Sequence, residues 1–138
     1  MERFVIIMEQ AAILIADDNP EIREIIQILL SGEGFQVHEA ASGTQALGML
    51  KENTFDLIIL DIMMPGLNGY QTCLEIRKNT NVPILFLSAR TQESDKTLGF
   101  SSGGDDYLAK PFSYAELVSR AKAMIRRYQA VSYTHLRA

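Results

Sequence analysis

The chain has 138 residues and a mass of 15.4 kDa, with 47% hydrophobic and 22% charged residues. That suffices for one folded domain with a substantial core and excludes the disordered, collagen-like and coiled-coil classes. Thirteen Lys and Arg against 17 Asp and Glu leave a formal charge of −4, so the chain has no net attraction for phosphate backbones and is a poor nucleic-acid binder by itself. The single cysteine, Cys73, excludes an internal disulfide and any C-x-x-C site, and suits a reducing cytoplasm.

At the start of the chain, Phe4, Val5, Ile6, Ile7 and Met8 form an apolar run too short for a signal peptide core or a membrane span. Residues 1–10 read as an extension ahead of the domain, and no membrane association is expected. Apolar runs ended by turn or cap residues then predict five short strands, at residues 11–16, 36–39, 56–60, 83–87 and 107–109. The third and fourth are apolar nearly throughout, as strands covered on both faces of a parallel sheet are.

Between the strands the period becomes helical. Ile22, Ile25, Ile26, Leu29 and Leu30 follow Asn19 as N-cap and Pro20 at the first helical position, and Gly32 and Gly34 end the segment. Weaker helices fit residues 44–52 and 69–79, and 92–102 is a poor amphipath with Leu98 and Phe100 as its only large apolar residues. The last helix opens on Ser113 and Glu116, an S-x-x-E capping box, and carries Leu117, Ala121, Met124, Ile125 and Tyr128 on one face. After Tyr128 the period fades, and residues 129–138 read as a non-native or disordered tail resembling translated adapter sequence. The domain is therefore expected over residues 11–128. Its α/β pattern is (βα)5, and right-handed crossovers make a flavodoxin-like, doubly wound parallel sheet of order 2-1-3-4-5 the most economical arrangement.

In open parallel sheets, ligands bind beyond the carboxyl ends of the strands. There the sequence puts Asp17 and Asp18 after the first strand, Asp61 after the third, Ser88 after the fourth and Lys110 after the fifth. Carboxylates about 4 Å apart repel by roughly 4 kcal/mol at an effective dielectric near 20. A hard divalent cation with oxygen ligands offsets this, and Mg²⁺ suits a shallow, wet site with room for a phosphate oxygen. No His or Cys lies near these positions, which argues against zinc. With charge neutralised by a metal and Lys110, Asp61 is the best placed carboxylate to attack phosphorus, leaving Asp17 and Asp18 for metal ligation. Read singly, each residue has an ordinary use: Asp-Asp before Asn-Pro suits a turn and cap, Asp61 a turn, Ser88 a loop hydroxyl, Lys110-Pro111 a strand terminus. Their convergence on one edge is what points to a site.

Asp17-Asp18, the stretch from Asp61 through Met63, Pro65 and Gly66 to Gly69, Ser88-Ala89, and Asp105-Asp106-Tyr107-Leu108-Ala109-Lys110-Pro111-Phe112 together resemble the receiver domain of bacterial two-component response regulators. The resemblance covers residues 11–128 and implies Asp61 as phosphoacceptor, Asp18 as a direct Mg²⁺ ligand, Asp17 as a direct or water-mediated one, and the Met63 backbone carbonyl as another. It implies Lys110 and Ser88 as partners of the phosphoryl group, a cis Lys110-Pro111 bond, and a Tyr107 that rotates inward as Ser88 moves. Without it, Tyr107 is a half-buried strand aromatic. The implied partner is a sensor histidine kinase, and segment 92–102 is the loosely held element that phosphorylation would bias.

The run Gly103 to Tyr107 with the helix after it most resembles the OmpR/PhoB subfamily, which implies a homodimer on phosphorylation. The matched ion pairs are Lys96 with Glu116 and Asp106 with Arg120 across the two-fold, although Glu116 also serves the capping box. That subfamily continues into a winged-helix DNA-binding domain absent from these residues, so DNA contact is expected only through such a domain. The alternative is a stand-alone receiver in a phosphorelay. A haloacid-dehalogenase-type hydrolase needs an acidic residue where Met63 stands, and neither G-x-x-x-x-G-K-[ST] nor G-x-G-x-x-G follows the first strand. The expected chemistry is thus a phosphorylation switch with slow self-dephosphorylation instead of metabolic turnover.

Overall fold

The computed structural model describes residues 11–89 and 103–137, with side chains described as far as residue 130. The predicted N-terminal extension, segment 92–102 and Lys96 lie outside the described residues. Strands β1 (Ala12–Ala16), β2 (Gln36–Ala40), β3 (Leu57–Asp61), β4 (Ile84–Ser88) and β5 (Asp106–Ala109) form one sheet in the order β2-β1-β3-β4-β5, every neighbouring pair parallel. The described helices are α1 (Pro20–Gly32), α2 (Gly43–Glu52), α3 (Gly69–Arg77) and α4 (Tyr114–Arg137). The flavodoxin-like order read from the sequence is the one observed.

Both central strands are buried along their whole length, β3 and β4 alike, because apolar clusters cover each face of the sheet. On one face Leu14, Ile58, Leu60, Ile84 and Phe86 pack with Ala46, Cys73 and Ile76 from α2 and α3. On the other, Ile13, Ile15, Ile59, Leu85 and Leu87 pack with Ile26 and Leu30 of α1 and Leu117, Ala121, Met124 and Ile125 of α4. The buried seam of α1 is narrower than its apolar pattern predicts. Ile25 is 55% exposed, since it precedes Ile26 by about 100° of helix rotation and turns off the covered stripe.

Side-chain oxygens set where the helices begin. Asn19 accepts from the Glu21 and Ile22 amides at the start of α1, and Ser42 accepts from Gln45 at the start of α2, one residue earlier than the pattern predicts. Asn68 and Gln71 make a reciprocal capping box for α3. At α4, Ser113 Oγ accepts from the Glu116 amide at 3.0 Å. The backbone of α4 runs on as helix to Arg137, through the stretch expected as a tail. Extending an established helix adds a hydrogen bond for each residue fixed, so it outlasts its apolar period.

Strand ends also differ by one residue from the apolar runs, and the difference matters. Asp56 stands outside β3, its Oδ2 accepting from the Ala12 amide at 2.9 Å, while at the far end Ile62 N–H donates to Leu87 at 3.0 Å. Asp61 and Ser88 are therefore the last residues of the sheet ladder, pairing in register with Leu87 and Ala109.

Opposite the carboxyl edge, Arg77 of α3 fastens the start of β5. It donates to the carbonyls of Val82 at 2.6 Å and Gly103 at 2.8 Å. Its Nη2 reaches Asp105 Oδ2 at 2.7 Å, and that oxygen also accepts from the Ile84 amide at 2.8 Å. Arg77→Ala strips these carbonyls and Asp105 of a charged donor, for an expected loss of about 2–3 kcal/mol; urea unfolding checks it, as a lower midpoint at unchanged slope.

Candidate functional site

Asp17, Asp18 and Asp61 meet at the carboxyl edge of the sheet, each offering an oxygen within 4.8 Å of the others. Asp17 follows β1 and Asp61 ends β3, adjacent strands whose register sets Ala16 beside Leu60. Asp17 and Asp61 are buried, and Asp18 is exposed at the mouth. Lys110, just past β5, brings its Nζ to 3.2 Å from Asp61 Oδ1 and 3.4 Å from Asp17 Oδ2. Four groups separated by most of the chain thus converge as the strand pattern predicts.

Asp17 is held from every side. Its amide donates to Ala40 at 3.1 Å, its Oδ1 accepts from the Asn19 amide at 2.9 Å, and its carbonyl accepts from Arg23 Nη1 at 2.8 Å. One carboxylate oxygen is thereby used locally, while the other faces Lys110.

Asp61 is the strained member. Burial pushes its carboxyl up to about 6, the neighbouring charge of Asp17 adds to the rise and that of Asp18 adds less, while the charge and hydrogen bond of Lys110 oppose it. Among the described residues, one ammonium meets three carboxylates, which leaves excess negative charge in a partly dry site. An all-oxygen donor set of this kind fits a hard cation such as Mg²⁺ and lacks the His or Cys that zinc selects.

The loop after Asp61 folds back on itself. The amides of Met64 and Gly69 both point at the Ile62 carbonyl, at 3.2 and 3.0 Å. A Cβ on Gly69 would stand 2.6 Å from the Asp61 carbonyl oxygen, so this position admits only glycine without moving the backbone that carries Asp61. The Met63 side chain is 57% exposed. Ser88 is buried at the end of β4, and its carbonyl accepts from the Lys110 amide at 2.6 Å. The Lys110-Pro111 peptide is cis, as expected.

Tyr107 is not half-buried; at 8% exposure it stands inside. Its hydroxyl lies 3.4 Å from that of Tyr70, and its ring packs on Phe86, which Tyr70 meets edge-on. Asp106, Glu116 and Arg120 lie away from the acidic edge. The Asp106–Arg120 pair expected across a two-fold forms within the chain, with Nη1 2.9 Å from both Asp106 oxygens. Glu116 lies 3.9 Å from Arg120 on the same helix.

Arg23 and Gly69 are contributors that apolar periodicity does not reveal. A signal for Arg23 exists: it sits four residues after the N-cap Asn19, one turn along the helix, and so faces back over the strand end.

A family model for the response regulator receiver domain matches residues 13–122. Transcriptional regulatory protein YrkP of Bacillus subtilis is 48% identical over 116 residues, covering 84% of this chain and 50% of that protein. DNA-binding response regulator MtrA of Mycolicibacterium smegmatis is 45% identical over 115 residues, covering 83% and 50%. The chain thus spans about half the length of the curated relatives it matches. Among solved structures, the receiver domain of Francisella response regulator 1452 superposes with a TM-score of 0.82 at 37% identity, covering 86% of this chain and 98% of that one. The receiver domain of sensor histidine kinase PA1611 from Pseudomonas aeruginosa superposes at 0.78 and 34% identity, covering 84% and 98%, and holds a magnesium ion in its active-site cleft.

The raised Asp61 carboxyl predicts a sign for stability against pH. The folded state binds this proton more tightly than the unfolded chain, so stability falls as pH rises from about 4 to 6, and the whole penalty is present above that window. In metal-free buffer, Asp61→Asn should be more stable than the unsubstituted chain at pH 7, with the difference shrinking at pH 4.5. Urea titrations at both pH values check this; an equal difference at both would contradict it.

Proposed function

The chain belongs to the response regulator receiver domain family, and from that premise we propose that it is a phosphorylation switch accepting a phosphoryl group from a sensor histidine kinase on Asp61. Its curated relatives fit the OmpR/PhoB subfamily. The observation that carries the proposal is the meeting of Asp17, Asp18 and Asp61 with Lys110 at the carboxyl edge, one carboxylate on the last rung of the central strand.

Asp18 and Asp61 would hold Mg²⁺ with the Met63 carbonyl, and Asp17 would do so directly or through water, its second oxygen being committed to the Asn19 amide. When bound, the ion supplies charge neutralisation at phosphoryl oxygens. Asp61 attacks phosphorus through a carboxylate oxygen as the bond from phosphorus to the donor breaks in line, the imidazole nitrogen leaving from a phosphohistidine and the acetate oxygen from acetyl phosphate. Lys110 trades part of its bond to Asp61 for one to the new phosphoryl group, holding charge that develops on it. Ser88 donates its hydroxyl to a phosphoryl oxygen. Its movement is coupled to Tyr107, and the packing of that ring on Phe86, two residues before Ser88 on β4, supports the coupling. The chain turns over only its own phosphoryl group, acting as a timer and not a metabolic catalyst.

Incubation with acetyl phosphate and Mg²⁺ should yield a single phosphoryl adduct by intact mass, lost with EDTA and in Asp61→Asn. A folded, Mg²⁺-binding chain that takes no adduct would refute the phosphoacceptor role.

The output we propose is dimerisation through the face carrying Asp106, Glu116 and Arg120, with Lys96 opposite Glu116, and transcription control through a winged-helix domain beyond this chain. The resemblance to DNA-binding regulators supports this over a stand-alone receiver. The site requires no membrane, and no described helix is long and apolar enough to cross one; a cytoplasmic location fits. Arg120→Glu should abolish adduct-dependent dimerisation in size-exclusion chromatography while leaving adduct yield unchanged. A dimer that survives charge reversal would eliminate this interface.

A further inference from the structure

We propose that Arg23 is a positioning residue for cation binding, setting the Asp17–Asp18 peptide so that Asp18 presents its carboxylate to the cluster; this rests on the reading of the cluster as a Mg²⁺ site. Arg23 lies on the first turns of α1, with its side chain only 18% exposed. Its Nη1 donates to the Asp17 carbonyl at 2.8 Å and its Nε to Glu39 Oε1 on β2 at 3.2 Å. The guanidinium therefore bridges an edge strand and the one carbonyl in the Asp17–Asp18 linkage.

That carbonyl matters because the peptide unit is planar. Fixing the Asp17 oxygen fixes the plane that leads to the Asp18 backbone and hence the direction in which its side chain leaves. Asp17 is independently held through its amide and Oδ1. Asp18 is exposed, and the carbonyl preceding it is held by Arg23. The fork of an arginine reaches both acceptors at once, which a lysine ammonium cannot reproduce.

The charge of Arg23 acts in the opposite sense. A guanidinium beside the cluster repels a dication, so deleting charge alone tightens Mg²⁺ binding, whereas losing position weakens it. The sign of the change separates the two.

Calorimetric Mg²⁺ titration of the full chain should show Arg23→Gln and Arg23→Lys both weakened, by on the order of tenfold, as outer-shell substitutions commonly do. Glu39→Gln, which removes the second anchor but keeps the Asp17 bond, should weaken binding by a smaller factor. Urea midpoints report that each variant is folded, and at saturating Mg²⁺ each should still form the Asp61 adduct. Unchanged affinity in both arginine variants would overturn the proposal, as would tighter binding in Arg23→Gln with none lost in Arg23→Lys. A chain that binds Mg²⁺ with these shifts but takes no phosphoryl group would sink the phosphoacceptor reading and leave the role of Arg23 standing. No Mg²⁺ binding by the unsubstituted chain would end both.

Discussion

Among the described residues, three carboxylates share one ammonium at the carboxyl edge of the sheet, and the rest of the site answers to that imbalance. Lys110 stands 3.2 Å from Asp61 and 3.4 Å from Asp17, so it divides its charge between two acids while Asp18 waits at the mouth. A buried charge without full compensation costs several kcal/mol and persists only when surrounding structure enforces it. Here the enforcement is the sheet. Asp61 is the last paired residue of a strand with no exposed position, and Asp17 has its amide, carbonyl and one carboxylate oxygen bonded. Neither can retreat into solvent without unzipping a ladder. The favourable relief left is to bring charge in, as a cation or by turning a carboxylate into a group that new donors can share.

The same constraint explains which parts of the molecule had to be glycine, cap or clasp. Gly69 lets the start of α3 press against the Asp61 carbonyl, and the Asn68–Gln71 box holds that helix start in place. At the opposite edge, Arg77 ties Val82, Gly103 and Asp105 into the entrances of β4 and β5. Because β5 carries Tyr107 in its middle and delivers Lys110 at its end, an anchor at its entrance governs both. A two-edged arrangement results, with charge frustration at the carboxyl end and hydrogen-bonded rigidity at the amino end.

What the sequence shows of this is uneven, for physical reasons. Apolar runs such as Leu57 to Leu60 declare buried parallel strands, and once the order is known, Asp17, Asp61, Ser88 and Lys110 must share an edge. Chain pattern says where a residue sits along a strand; it says nothing of which carbonyl a long side chain seeks. Arg23 and Arg77 look like solvated helix charges, yet Arg23 bridges the Asp17 carbonyl and the Glu39 carboxylate, and Arg77 spans the carbonyls of Val82 and Gly103. Ile25 errs the other way, apolar and in period but 55% exposed because it turns off the stripe of α1 that the sheet covers. Tyr107 is legible as a strand aromatic, but its inward placement depends on the Tyr70 hydroxyl and the Phe86 ring, contacts across three separate elements. Helix extent is equally opaque, since propagation beyond Tyr128 needs no apolar stripe.

The Asp106–Arg120 pair sets a limit on how a second copy can be recruited. It is formed within the chain and both partners are part-exposed, 26% and 37%. Pairs in that setting contribute about 0–1 kcal/mol. Exchanging the acid on the same chain for its equivalent on another therefore changes the free energy little, because one screened bond is broken for each one made. Such exchange can define register and exclude misaligned partners, as charge patterns at interfaces do. It cannot by itself hold two copies together against the entropy of association. In the proposed dimer, affinity would come from apolar surface, and the coupling to Asp61 would lie in how much of that surface the carboxyl edge allows to be presented.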